Sequence, residues 1–156
     1  MNRHPAVTTI NLQQLINRLL VFYTPVASRQ KCYFINAASH GLYVNTDSES
    51  LSTLLGSLLY IVARCSRDTS ILVSAVCYHE RAAVSIQCSS KADNYQILQG
   101  FHHLELLSKE LNGCIDVSNY DNRETTITFN FASRMYNKTT DCFTDERSNQ
   151  QQRNYF

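Results

Sequence analysis

The sequence predicts an α+β fold of two layers, in which helices cover one face of a mixed, mostly antiparallel sheet. Segments with helical and extended patterns follow one another in the order helix, two strands, helix, hairpin, helix, hairpin. Helices interleaved with hairpins favour one sheet with the helices on one side. The later strands alternate apolar and polar residues, which requires only one covered face. A length of 156 residues allows one ordinary domain with a tail.

The first predicted helix begins at Asn11, whose side chain can cap the free amides, and Gln14 is placed for a capping box. Its apolar face repeats every three or four residues, with Leu12, Leu15, Ile16, Leu19 and Tyr23. Pro25 should kink or end this helix because proline lacks the backbone N–H. Residues 32–36 and 42–44 then predict two short strands.

The second predicted helix is capped by Asp47, with Glu49 in its first turn. It carries a wide apolar stripe of Leu51, Leu54, Leu55, Leu58, Leu59, Ile61 and Val62. A helix this apolar must be covered on more than one side. We expect it to end near Cys65.

The rest of the domain is predicted as two hairpins separated by a helix. Residues 71–78 and 82–88 form the first hairpin. A single helix over 96–111 ends at Gly113, because glycine readily takes the left-handed conformation. The second hairpin lies within 115–131, around a polar turn.

The domain limits follow from these patterns. Residues 1–8 are predicted to be a leader and 9–132 the domain. Residues 133–156 have almost no apolar periodicity and are predicted to be a polar, flexible tail.

Composition excludes several classes of function. A formal net charge of +1 gives no general field for nucleic acid. The longest apolar run, 54–63, is interrupted and too short to span a bilayer, and the N-terminus has no apolar signal core. We therefore expect a cytoplasmic protein with no nucleic-acid and no membrane partner.

The cysteines and histidines do not predict a metal site. None of the six cysteines forms a C-x-x-C pair, so we expect small buried hydrophobic residues kept reduced. The even number of cysteines would permit disulfide bonds only if the protein were secreted. His102 and His103 are adjacent, which is poor geometry for one metal ion on a helix. The spacing of residues supports no Ser-His-Asp or Cys-His arrangement.

Three segments carry a family resemblance. Residues 44–66 resemble the histidine kinase segment D-x-x-x-L-x-x-x-L-x-N-L-L-x-N-A-x-K-[YF]-[ST]. Residues 99–117 are similar to the G-L-G-L helix with its ending H-G-G-x-I-x-V, and 124–129 resemble the closing G-T-x-F-x-F strand. On these motifs, residues 11–131 resemble the ATP-binding domain shared by histidine kinases, gyrase-type topoisomerases and Hsp90-type chaperones, the Bergerat or GHKL fold.

The metal-binding positions of that family differ in this chain. Ser57 and Ile61 stand where the family has asparagines that hold Mg²⁺. Ser57 keeps a polar group, but isoleucine has no oxygen donor for a hard cation. The resemblance therefore implies that the metal site is lost.

The positions for the base and the phosphates differ as well. Cys88 replaces the aspartate that accepts from the adenine amino group, and a thiol is a poor acceptor. Ser90 and Ala92 stand at glycine positions, where side chains restrict the backbone and its approach to a ligand. Gly100 matches one glycine of the family's phosphate loop, but Phe101 follows it in this chain.

A shifted alignment would recover part of the site. Asp93 and Asn94 would then match the family's aspartate and asparagine. Tyr95 would replace the first glycine, however, and the preceding strand would become too long. We therefore favour the unshifted alignment.

The expected loss of affinity is large. A charge-assisted hydrogen bond to the base is worth about 1.5–3 kcal/mol, and each 1.4 kcal/mol is about tenfold in affinity. Loss of the metal ligand adds a similar amount, so the combined loss of nucleotide affinity is about a hundred- to ten-thousand-fold. Phosphoryl transfer depends on the metal. We therefore expect no catalytic residues, no cofactor, no metal and no enzyme activity.

The leading hypothesis is a non-catalytic histidine-kinase-like domain that acts as an interaction module in bacterial two-component or related signalling. Its expected partner is a response regulator, a kinase or a phosphotransfer protein, and a homodimer is a further option. The alternative is a divergent kinase or phosphotransferase that binds ATP with magnesium through Ser57, Asp93 or Asn94. A third hypothesis is an unrelated α+β domain with the same order of elements.

Overall fold

The structure, a computed structural model, describes residues 6–89, 94–120 and 124–133. Its elements in chain order are β1 Val7–Asn11, α1 Leu12–Arg29, β2 Tyr33–Asn36, β3 Tyr43–Asp47, α2 Ser48–Cys65, β4 Ser70–Tyr78, β5 Arg81–Ser89, α3 Asn94–Phe101, a 3₁₀ turn His102–Leu104, α4 Glu105–Glu110, β6 Cys114–Tyr120 and β7 Glu124–Ala132. The predicted α+β class is confirmed, and so are both predicted hairpins.

The strands form two sheets rather than one. The main sheet has the order β2-β4-β5-β7-β6, in which β2 and β4 are parallel and the other neighbours are antiparallel. The early strand predicted at 42–44 corresponds to β3, which instead pairs with β1 in a separate antiparallel ribbon. The prediction missed β1, whose first two residues lie in the predicted leader. Its partner is 36 residues away, as in Thr9 against Asn45, so no local pattern reveals the pairing.

The core lies between the main sheet and helices α1 and α2. Alternate residues of the central strands face the helices, and the rings of Phe129 and Phe131 stack 5.0 Å apart within this layer. The largest fully buried side chains are Phe129, Phe131, Leu12, Ile16, Leu51, Leu54, Leu55, Leu58, Leu59, Ile71, Ile86 and Ile97. The wide apolar stripe predicted on α2 is therefore covered by the sheet and by other helices.

The predicted helix caps are confirmed. The Asn11 side chain accepts a hydrogen bond of 3.1 Å from the Gln14 amide, and Asp47 accepts from the Glu49 amide at 3.0 Å. The prediction that Pro25 kinks or ends α1 is wrong about the end, because the helix continues to Arg29. Proline removes only the bond to the carbonyl of Val21, and water can reach that turn since Val21 is 68% exposed.

The third predicted helix is broken. Instead of one helix over 96–111, α3 and α4 are separated by the 3₁₀ turn. The left-handed residue after α4 is Asn112, with φ of 49°, and not Gly113 as predicted. Gly113 is needed for another reason: a Cβ there would collide with the carbonyl oxygen of Asn130 on β7.

The first residue of the predicted tail, Ser133, is part of the folded domain. Ser133 is buried, its amide donates to the Glu80 carbonyl at 2.8 Å, and its hydroxyl accepts from the Asn45 amide at 3.1 Å. Residues 134–156 lie outside the described residues, so the flexible tail stays a prediction.

Candidate functional site

The site implied by the resemblance lies where α2, α3 and the end of β5 meet. On α2, the Ser57 hydroxyl donates a 2.8 Å hydrogen bond to the Thr53 carbonyl one turn earlier. The hydrogen of this hydroxyl is therefore engaged within its own helix. Ile61, one turn further on, is half-buried and packs against the hydrophobic core.

Helix α3 packs directly on α2 at Ile61, the position that the resemblance assigns to a metal ligand. A Cβ placed on Gly100 would lie 2.9 Å from Cδ1 of Ile61, 3.2 Å from Cγ1 and 3.3 Å from Cγ2. One turn further towards the C-terminus of α2, the Cys65 thiol donates a hydrogen bond to Oε1 of Gln96 on α3 at 3.8 Å. Gly100 thus lets two helices approach closely, and the structure brings the predicted positions Ile61 and Gly100 into contact.

Cys88, which the resemblance places at the base-binding position, is 1% exposed. Its thiol donates to the carbonyl oxygen of Thr125 on β7 at 3.7 Å. Burial is the largest influence on this group and raises the pKa of the Cys88 thiol. The group at this position is therefore a neutral donor, whereas the family's aspartate is a charged acceptor.

The other polar side chains described at this end of the site carry hydroxyl groups. Ser66 follows α2 directly and is buried, and a hydrogen bond with its side chain opposes the effect of burial on the pKa of the Cys88 thiol. The Thr69 and Ser89 hydroxyls lie 2.5 Å apart, and Thr125 is 2% exposed. Sequence reasoning did not single out these residues. The only signal for Ser66 was its place at the predicted end of a helix.

The remaining predicted positions divide into two groups. Phe101 is 6% exposed and belongs to the core, and it also lines a groove of about 520 Å³ between α4 and β6. Ser90, Ala92 and Asp93 lie outside the described residues. Of Asn94, the structure describes only the backbone at the start of α3. The structure therefore describes five of the seven predicted positions: Ser57, Ile61, Cys88, Gly100 and Phe101.

The described residues do not fit a magnesium nucleotide. Ile61 offers hydrocarbon where an oxygen ligand is needed, and Cys88 offers a thiol where the base needs a charged acceptor. Over residues 6–89, 94–120 and 124–133, no group of three or more His, Cys, Asp or Glu side chains is placed to hold a metal ion. In the same ranges, no helix is both long and apolar enough to cross a bilayer.

Comparison with known proteins identifies the fold. No protein-family model matches the sequence, and no curated protein matches it either. The structure superposes on Acinetobacter baumannii histidine kinase AdeS with a TM-score of 0.72 and 12% identity, covering 85% of this chain and 70% of that one. The nucleotide-free catalytic domain of histidine kinase ThkA gives 0.67 and 16%, covering 82% and 96%. ThkA in complex with the response regulator protein TrrA gives 0.64 and 16%, covering 82% and 42%.

These matches extend over most of the chain, although few residues are identical. They confirm the resemblance inferred from residues 44–66, 99–117 and 124–129, and they include a domain solved without nucleotide. The order of the main sheet and the helices on one of its faces agree with that resemblance. The fold of this chain is therefore that of the histidine kinase catalytic domain.

Proposed function

We propose that this chain is a histidine-kinase-like domain without kinase or ATPase activity, which acts as a protein-interaction module in two-component or related signalling. The observation that supports this proposal most directly is the contact between Ile61 and Gly100, at the position that the resemblance assigns to a metal ligand. The fold itself supports the signalling context. A similar kinase, ThkA, has been solved with a response regulator.

The packing of α3 opposes any rearrangement that would admit a metal and phosphates. Separating α3 from α2 would expose Ile61 together with Ile97, which is fully buried, and Phe101. Exposing one large apolar side chain costs about 1.5–3 kcal/mol. A ligand would have to supply this energy before gaining any contact, and Ile61 would still offer it no oxygen.

The base-binding end adds a second penalty. The Cys88 thiol already donates to the Thr125 carbonyl, and it is held neutral by burial. A missing charge-assisted hydrogen bond weakens nucleotide binding by about tenfold to a hundredfold. With the missing metal ligand, the total reaches about a hundred- to ten-thousand-fold.

The direct test is nucleotide binding, measured by calorimetry and by the thermal unfolding of the full chain with millimolar ATP and Mg²⁺. We expect no binding heat and no change in melting temperature. A nucleotide present at a hundred times its dissociation constant would add about 2.7 kcal/mol of stability. A nucleotide-binding histidine kinase catalytic domain serves as the positive control. A clear shift would reject the proposal and support the divergent ATP-binding alternative.

The partner we propose is a response regulator, a kinase or a phosphotransfer protein in the cytoplasm. Binding is measured by calorimetry against purified candidates of these three classes, with and without ATP. We expect the affinity to be the same in both conditions, since no nucleotide takes part. A Cys88→Ala variant should bind like the unmodified chain, because its thiol is buried. Binding that requires ATP would contradict the proposal.

A further inference from the structure

The two edge strands of the main sheet differ in their exposed side chains. Strand β6 carries exposed polar side chains, Asp116 and Ser118. On strand β2, at the opposite edge, Tyr33 is 61% exposed and Ile35 is 41% exposed, both on the face away from the helices. Beside β2, helix α1 exposes Val21 by 68%. An open strand edge with exposed apolar groups is a template for pairing with another chain.

The backbone of β2 has hydrogen-bonding groups pointing away from the sheet. The amides of Tyr33 and Ala37 donate to Thr69 and Val73, on the β4 side. In a parallel pair, alternate residues direct both backbone groups to the same side. The N–H and C=O of Phe34 and Asn36 therefore point outward, away from β4. The outward amide of Cys32 is already bonded to the Ala27 carbonyl.

We propose that two copies of this chain associate through β2, antiparallel about a two-fold axis at Phe34, so that the two main sheets form one continuous sheet. In this register Phe34 lies opposite Phe34 of the second copy, and each bonds the other through N–H and C=O. The Asn36 amide then meets the Cys32 carbonyl of the second copy. Tyr33 lies opposite Ile35 of the second copy, so the exposed apolar groups cover one another.

The register follows from matching faces and bonds. Opposite residues of an antiparallel pair point to the same face, so an axis between Phe34 and Ile35 would oppose inward and outward side chains. An axis at Ile35 would also bond outward groups, those of Phe34 to those of Asn36, but it would set Tyr33 opposite Ala37. The axis at Phe34 matches faces and bonds and also sets both exposed apolar residues, Tyr33 and Ile35, opposite one another. It also places Lys31 opposite Ala37 of the second copy, so these lysines do not oppose each other.

A strand of four residues needs help from other elements to hold a dimer. A groove of about 260 Å³ between α1 and β2 supplies it, and its lining includes Leu20, Val21, Thr24 and Phe34. Phe34 faces the helices and is half-buried. In the proposed register, Phe34 of the second copy enters this groove beside its counterpart, and Val21 loses exposure.

The first experiment measures molar mass by sedimentation velocity over a wide range of protein concentrations. We expect a monomer–dimer equilibrium in the unmodified chain. Tyr33→Lys should weaken association by about a hundredfold or more, because it places a charge in the interface. The matched control is Val76→Lys on β4, since Val76 is 60% exposed and lies beyond the end of β2. Circular dichroism verifies that both variants are folded.

The second experiment tests the register without disrupting the interface. Tyr33→Cys combined with Ile35→Cys should give a covalent dimer on oxidation, since the pair is not hydrogen-bonded and its Cα atoms approach to about 4.5 Å. Val76→Cys combined with Tyr78→Cys has the same spacing on an exposed strand and should not. The unmodified chain controls for its native cysteines. Ile35→Cys alone controls for the register, because it should give a covalent dimer only if the axis lies at Ile35.

The possible outcomes separate clearly. Weakening by Tyr33→Lys but not by Val76→Lys, together with the covalent dimer, supports the proposal. A monomer at all concentrations overturns it and leaves the β2 edge to another part of the chain or to a different protein. A dimer that both lysine variants leave intact also overturns it. None of these results depends on nucleotide, so the proposed function stands or fails separately.

Discussion

Gly100→Ala tests the contact between α3 and α2 at the candidate site. The new methyl group would lie 2.9–3.3 Å from three carbon atoms of Ile61, closer than such atoms normally approach. Overpacking of this kind costs about 1–3 kcal/mol. Alanine also favours the helix by about 1 kcal/mol over glycine. We therefore expect a net destabilisation of about 1 kcal/mol, by difference between these two effects.

Truncation of Ile61 should reverse the sign of this effect. In an Ile61→Ala background, the three carbon atoms that crowd position 100 are absent. Only the helix preference then remains, so Gly100→Ala should stabilise the protein by about 1 kcal/mol. The difference between the two backgrounds is a coupling free energy of about 2 kcal/mol.

The assay is equilibrium unfolding in urea of the unmodified chain, the two single variants and the double variant. The four free energies of unfolding form a double-mutant cycle. Equal m-values would show that all four unfold from comparable states. An equal effect of Gly100→Ala on stability in both backgrounds would show that α3 does not lie against Ile61.

Two further predictions concern the core and the buried thiol. Leu55→Ala should destabilise the protein by about 2–5 kcal/mol in urea, because Leu55 is 1% exposed and its truncation leaves a cavity; a loss below about 1 kcal/mol would contradict the packing of α2. Burial raises the pKa of the Cys88 thiol above its ordinary value near 9.0. The stability from keeping this thiol neutral is full below pH 9.0 and declines as the pH rises towards the folded-state pKa. Cys88→Ala should therefore lose less stability than the unmodified chain when the pH is raised through this range, and an identical loss would count against burial of the thiol.

The sequence predicted those parts of the fold whose signals are local. Asn11 and Asp47 cap the helices that follow them, and this depends only on neighbouring residues. Both hairpins follow from strands of alternating pattern joined by short connections. These elements carry their own signals, so their positions could be predicted closely.

Other elements depend on contacts between distant parts of the chain. Strand β1 is defined by its pairing with β3, and Gly113 is required by the approach of the β7 backbone. The same reason limits the prediction of the site. The resemblance assigned Gly100 to a phosphate loop, whereas its contact with Ile61 exists only once α3 is packed on α2.

The substitutions at the candidate site also have a structural effect. Ile61 packs where the family has a metal ligand, and Cys88 is buried with its thiol bonded to Thr125. In the proposed function, each of these residues stands where the family has a nucleotide-binding group, and each makes an interaction within the domain instead. The two interactions lie on different elements, one between helices and one between strands. If the proposed function holds, restoring the family's residue at one of these positions alone should leave the other half of the site unable to bind its part of the nucleotide.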